Sequence, residues 1–188
     1  MMKTKLVLVL GALASTLPAS ALVNLEIRPT FSAANPVGGT VSLGLYAVAS
    51  GSANETISAL DVAIAWDTTY LNPISAIGNA NDANGPYAWF QSGFINPTLV
   101  NANLSDGTAV WTGLGQFLNP FVATPAGNRL ATLQFTANQK TPPTMPTEVS
   151  IMGSIDGFPT IVYGGDGPNQ NVTGTLKGAE VEIVPEPA

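Results

Sequence analysis

The chain has 188 residues, 45% hydrophobic and only 10% charged, with 19 glycines and 15 prolines, enough for one domain with a sizeable core but unsuited to long helices. It has no cysteine and no histidine, which excludes disulfides, thiolate metal sites and a cysteine nucleophile and removes the commonest general base and metal ligand. Acidic residues outnumber basic ones by 12 to 6, which argues against nucleic acid and anionic membrane surfaces as partners, because both require a basic footprint.

Residues 1–21 have the three parts of a secretory signal peptide. Lys3 and Lys5 form a charged start, Leu6 to Leu13 an apolar run, and Ala19-Ser20-Ala21 a small-x-small cleavage site. An apolar run of about ten residues is too short to span a bilayer, which takes about 20. The two lysines leave with the leader, so four basic residues remain against twelve acidic ones.

Val23, Leu25 and Ile27 alternate with polar residues in a first predicted strand ending at Pro29, and Val41, Leu43 and Leu45 do so in a second reaching about Ala49. The organising strand follows Ser50–Thr56. From Ile57 to Trp66, Leu60, Val62, Ile64 and Trp66 share one parity, and Ala59, Asp61, Ala63 and Ala65 the other. Successive side chains of a strand point to opposite faces, so this strand has one large apolar face and one small one. Asp67 then leads a corner through Pro73, since its carboxylate can bond its own backbone two residues on, and Leu71 and Ile74 form a short return strand. Gly78–Pro86 has no periodicity. Tyr87–Phe94 is rich in aromatics. Thr98–Leu104 and Thr108–Leu114 flank Ser105-Asp106-Gly107, a hairpin signal because Asp-Gly tolerates positive φ.

Gly115–Gly127 reads as a loop. In the next strand Leu133 and Phe135 share a parity that Leu130 does not. Thr141-Pro-Pro-Thr-Met-Pro-Thr is a stiff connector, Glu148–Met152 a short strand, Gly157–Gly167 turn-rich, and Thr173–Leu176 with Ala179–Val184 a last hairpin. Strands at this spacing, separated by Gly, Pro, Asn and Asp, predict an all-β fold, a single antiparallel β-sandwich over residues 22–184, with Trp66 and Trp111 in its core.

Three stretches resemble cohesin-type domains and their relatives among bacterial surface proteins. Ala65-Trp-Asp-Thr-Thr-Tyr-Leu-Asn-Pro-Ile-Ser75 is similar to the family's segment of tyrosine-aspartate-proline, then leucine, then a β-branched strand. Gly38-Gly-Thr-Val-Ser-Leu-Gly-Leu45 resembles its early strand, with Gly39 where the family often has aspartate, and Asn128–Ala137 its late leucine-alanine-threonine-leucine strand. The resemblance implies a jelly-roll-related sandwich that binds partners through one sheet face rather than turning over a substrate. Residues 185–188 follow Val184, and Pro185-Glu186-Pro187 resembles the sorting signal of PEP-CTERM exported proteins, here without the apolar span and basic cluster that follow it in that family. Together with the leader this implies a protein exported to the cell surface or medium.

Several residues carry the candidate chemistry. The small face of the organising strand, Ala59, Asp61, Ala63 and Ala65, is a flat candidate surface for docking a protein. Tyr87, Trp89 and Phe90 are the candidates for binding extracellular polysaccharide, because amphipathic rings suit sugars. Asn79, Asn81, Asp82 and Asn84 offer closely spaced oxygens to calcium, which takes about six to eight, but lack the terminal bidentate acid of an EF-hand. No other cofactor is implied. The acids are too scattered for a carboxylate pair held about 5–10 Å apart, so the expectation is a non-catalytic interaction or matrix module, with a carbohydrate-binding module as the alternative. Self-association through an unpaired edge strand is a variant of the first reading.

Overall fold

The computed structural model describes residues 21–30, 35–73, 87–89, 94–101, 104–116, 118, 120–165, 167 and 169–186, with the backbone alone over 87–89 and 94–101. Its strands are β1 (Val23–Pro29), β2 (Asn35–Pro36), β3 (Thr40–Ala49), β4 (Glu55–Trp66), β5 (Leu71–Pro73), β6 (Tyr87–Trp89), β7 (Phe94–Asn101), β8 (Thr108–Gly115) and β9 (Phe121–Ala123). They continue with β10 (Asn128–Ala137), β11 (Thr147–Met152), β12 (Ser154–Ile155), β13 (Phe158–Pro159), β14 (Ile161–Gly164), β15 (Thr173–Lys177), β16 (Ala179–Val181) and β17 (Ile183–Val184).

Two sheets are stacked. Sheet one has the order β15-β1-β3-β10-β5, with β6 also on β10; sheet two has the order β16-β11-β4-β8-β7, with β14 and β9 also on β4. Neighbours are antiparallel except β15, which runs parallel to β1. The core lies between the sheets, where the alternation of each strand puts its large apolar residues. Val23, Leu25, Leu43, Leu45, Leu133 and Phe135 from sheet one meet Leu60, Val62, Ile64, Trp111 and Val149 from sheet two, none more than 2% exposed. Each such side chain contributes about 1.5–3 kcal/mol on burial. Trp66 and Phe135 join the two layers, with ring centroids 5.4 Å apart.

Local chemistry sets the turns. The Asp67 carboxylate accepts the Thr69 N–H at 2.8 Å and its carbonyl accepts from Tyr70 and Leu71, which makes the corner between β4 and β5. Asp106 accepts the Thr108 N–H at 2.9 Å, and Gly107 follows at φ +81°, where an added Cβ would lie 2.4 Å from the Trp66 carbonyl oxygen. The parity break at Leu130 is a β-bulge. Arg129 pairs with Tyr46 and Ala131 with Leu45, so Leu130 is the extra residue and is fully buried as well.

Four expectations are corrected. Thr173–Leu176 and Ala179–Val184 do not form a hairpin: β15 joins sheet one, β16 joins sheet two, and β17 pairs with β2. Alternation is the same on either sheet, so it does not tell which sheet a strand enters. Gly115–Gly127 contains β9, Gly157–Gly167 contains β14, and the strand before Asp106 ends at Asn101, followed by a 3-10 turn at Leu104–Asp106.

Candidate docking face

β4 is the central strand of sheet two, and on each of its edges two strands lie end to end. On one edge β11 pairs with residues 63–66 and β14 with residues 57–61. On the other, β8 pairs with residues 59–65 and β9 with residues 55–57. The outward face therefore consists of cross-strand rows: Tyr163, Ala59 and Leu114; then Ile161, Asp61 and Thr112; then Met152, Ala63 and Val110; then Ser150, Ala65 and Thr108.

This face differs from the flat surface expected of it. Ala59, Asp61 and Ala65 are half-buried, but Ala63 is fully buried, as is its neighbour Val110, although neither belongs to the core between the sheets. The cause is the hairpin β12–β13, which leaves the line of β11, packs against β4 and β8, and returns to β14. Thr160 clamps its base: the hydroxyl donates to the Met152 carbonyl and accepts the Ala63 N–H at 2.9 Å, and its own N–H donates to the Gly153 carbonyl at 2.8 Å. Ala63 is thus withdrawn from the docking set. No sequence signal marks this, because the segment reads as an ordinary turn.

Asp61 is the only charged side chain in these rows, and its carboxylate accepts a short hydrogen bond from the Thr112 hydroxyl directly across the ladder. Around it apolar side chains alternate with the hydroxyls of Thr108, Thr112, Ser150 and Tyr163. Of the six large apolar side chains exposed among the described residues, Leu114, Met152 and Phe158 stand on this face or its hairpin, and Leu118 follows β8. Sequence reading missed Leu114, Met152 and Phe158, although Leu114 shares the parity of Thr112 and was recoverable from the hairpin register.

The other candidates lie elsewhere. Tyr87 and Trp89 belong to β6, at the edge of β10 in sheet one, opposite Leu133 and Ala131; their side chains, and Phe90 altogether, fall outside the described residues. Asn79, Asn81, Asp82 and Asn84 also fall outside them. Pro185 and Glu186 are exposed just beyond β17, and Pro187 is outside the described residues. Among the described residues there is no group of three or more acids placed to hold a metal ion, and no helix is long and apolar enough to cross a membrane. A groove of about 510 Å³ adjoins the Ser150–Ala65 end of these rows, between the Asp67–Tyr70 corner and the Pro142–Glu148 segment.

The same two-layer arrangement is found in solved structures. A cohesin of OlpA from Clostridium thermocellum, in complex with a dockerin, superposes with a TM-score of 0.56 at 12% identity, over 87% of this chain and 99% of that one. The fold is that of cohesin modules. A seventh ScaB type I cohesin from Pseudobacteroides cellulosolvens gives 0.55 at 12% identity, over 89% of this chain and 95% of that one. The sixth cohesin of scaffoldin B from Acetivibrio cellulolyticus, in complex with a Cel5 dockerin, gives 0.54 at 19% identity, over 85% and 99%. No family model matches the sequence, and no curated protein matches it. The cohesin-like sandwich expected from the three sequence stretches is therefore the fold observed.

Proposed function

We propose that this chain is a non-catalytic protein-docking module of an exported protein, and that it binds its partner through the outward face of sheet two. The observation that carries this reading is the set of exposed apolar side chains on that face and its hairpin, Leu114, Met152 and Phe158, on a face whose charged groups are all carboxylates: Asp61 at its middle, Asp156 on the hairpin, and Glu148 and Glu180 at the β11–β16 edge. Exposed apolar area costs about 25 cal/mol per Å² relative to burial, so clustered exposure on one face of a sandwich signals a surface that is covered in use. Two of the cohesin modules with this fold are described in complex with dockerins, which favours a protein over a polymer as the occupant. Asp61 would accept a hydrogen bond or pair with a cation from the partner, as charge-assisted bonds orient docking partners.

Export is supported by the leader in residues 1–21 and by the Pro185-Glu186-Pro187 signature. The test is photo-cross-linking. A benzophenone side chain at position 114, in protein secreted by its own host, is expected to yield an adduct larger by the mass of a protein. Absence of such an adduct, with depletion of the protein by insoluble polysaccharide, would favour the glycan-binding alternative through the Tyr87–Phe90 region.

A further inference from the structure

The registers on β4 contain a second result. Met152 pairs with Ala63 and Ile161 with Asp61, so only one residue is needed between them to make β11 and β14 a single continuous strand. Thr160 already stands there, bonded to both the Ala63 N–H and the Met152 carbonyl. Residues 153–159 are therefore an insertion in one strand, closed into the β12–β13 hairpin and laid across the docking face. The hairpin's tip has the backbone such a turn requires, with Asp156 at φ +50° and Gly157 at φ +85°.

This insertion does two things to the face. It buries Ala63 and Val110, which denies a flat partner the middle of the sheet. It also carries Phe158, 44% exposed, on a face that already holds Met152 at 42% and Leu114 at 55%. The core between the sheets requires neither, since Ala63, Val110 and Phe158 lie outside it; covering Ala63 and Val110 removes some apolar surface from water, but that does not call for an exposed phenylalanine. An exposed phenylalanine at the tip of a clamped hairpin is costly in water and suits a pocket in a partner, where large aromatics carry most of the binding energy.

We propose that residues 153–160 are the specificity element of the docking face, with Phe158 as its anchor. The partner this fits is a folded protein that presents an apolar ridge to Leu114 and Ile161, a donor or cation to Asp61, and a pocket to Phe158. The charge of the face favours that occupant: its charged side chains are all carboxylates, Asp61 in the rows, Asp156 on the hairpin and Glu148 with Glu180 at the β11–β16 edge, which repel an anionic polymer and suit a protein that brings a cation or donors. The inference rests on the docking reading above.

The test is a benzophenone at position 158, compared in the same secreted material with one at position 114. Both positions are expected to give an adduct of the same mass, and Phe158→Ala is expected to lower the yield from position 114 about tenfold while Phe158→Leu retains most of it. An adduct from 114 that Phe158→Ala leaves unchanged would overturn the specificity role and leave the docking reading standing; no protein adduct from either position would remove both. A variant lacking residues 153–159 adds a second readout. It is expected to melt cooperatively, with one uninterrupted strand from Thr147 to Gly164, and to lose the adduct at 114. A folded deletion variant that keeps this adduct would contradict the inference, and if the deletion does not fold, the Phe158 substitutions decide.

Discussion

The two outward faces of this sandwich are built on the same alternation and yet differ in where their large apolar side chains stand exposed. On sheet one the outward positions are Asn24, Glu26, Arg28, Ser42, Tyr46, Gln134 and Thr136. Several of their polar groups are paired within the chain. Arg28 donates to Glu26 at 3.0 Å and to the Ala126 carbonyl, and its guanidinium lies 4.7 Å from the centre of the Tyr46 ring. Tyr46 in turn lies over Gly44, where an added Cβ would come within 2.5 Å of the ring. On sheet two the outward positions are Ala59, Asp61, Ala65, Thr108, Thr112, Leu114, Ser150, Met152, Ile161 and Tyr163, with Glu148 and Glu180 at the β11–β16 edge and an inserted hairpin across the middle. The inner faces are alike because both must fill one core. The outer faces are under no such demand, so their difference records what each one meets: water on sheet one and, on the proposed reading, a protein on sheet two.

The largest effect expected is on what the faces share. Trp111→Ala, beneath sheet two, should cost about 3–5 kcal/mol, and Leu45→Ala, beneath sheet one, about 2–5 kcal/mol. Both should lower the midpoint of a single chemical-denaturation transition; two transitions would mean that the sheets unfold separately. Next is Gly107→Ala, expected to cost about 1–3 kcal/mol because it combines positive φ with a clash against the Trp66 carbonyl, and again read from the denaturation midpoint. Smaller still is the effect at the Thr112–Asp61 pair on the outward face of sheet two: Thr112→Val should cost about 1 kcal/mol for the lost bond to Asp61. Its counterpart on sheet one, Arg28→Ala, should cost about 0.5–1 kcal/mol, and that loss should shrink in high salt while the Thr112→Val loss stays nearly constant.

How much of this was legible depended on whether the signal was local. The Asp67 corner and the Asp106-Gly107 turn were readable because each needs only a carboxylate two residues before an N–H, and a glycine where φ is positive. The core on β1, β3 and β4 from Leu60 onward was readable from parity, as was the outward placement of Asp61; Ile57, on the parity of Asp61, is in the core because the register shifts beside it. Leu130 broke parity in the sequence, and the bulge explains it: one extra residue lets both Leu130 and Leu133 face inward. What could not be read was anything set by register between distant strands. That residues 153–159 interrupt one strand follows only from Met152 and Ile161 lying two places apart on β4, and Ala63 is buried from outside for the same reason. The exchange of sheets between β15 and β16 is likewise invisible to a period of two.

The comparison of faces is tested most directly by placing one carboxylate on each. Leu114→Asp and Gln134→Asp add the same charge at exposed or half-exposed strand positions, and both should change folding stability by less than about 0.5 kcal/mol. Calorimetric titration with the protein cross-linked from position 114 should show affinity reduced at least about tenfold by Leu114→Asp and unchanged by Gln134→Asp. Equal affinity for the two variants, or a loss confined to Gln134→Asp, would contradict docking on sheet two.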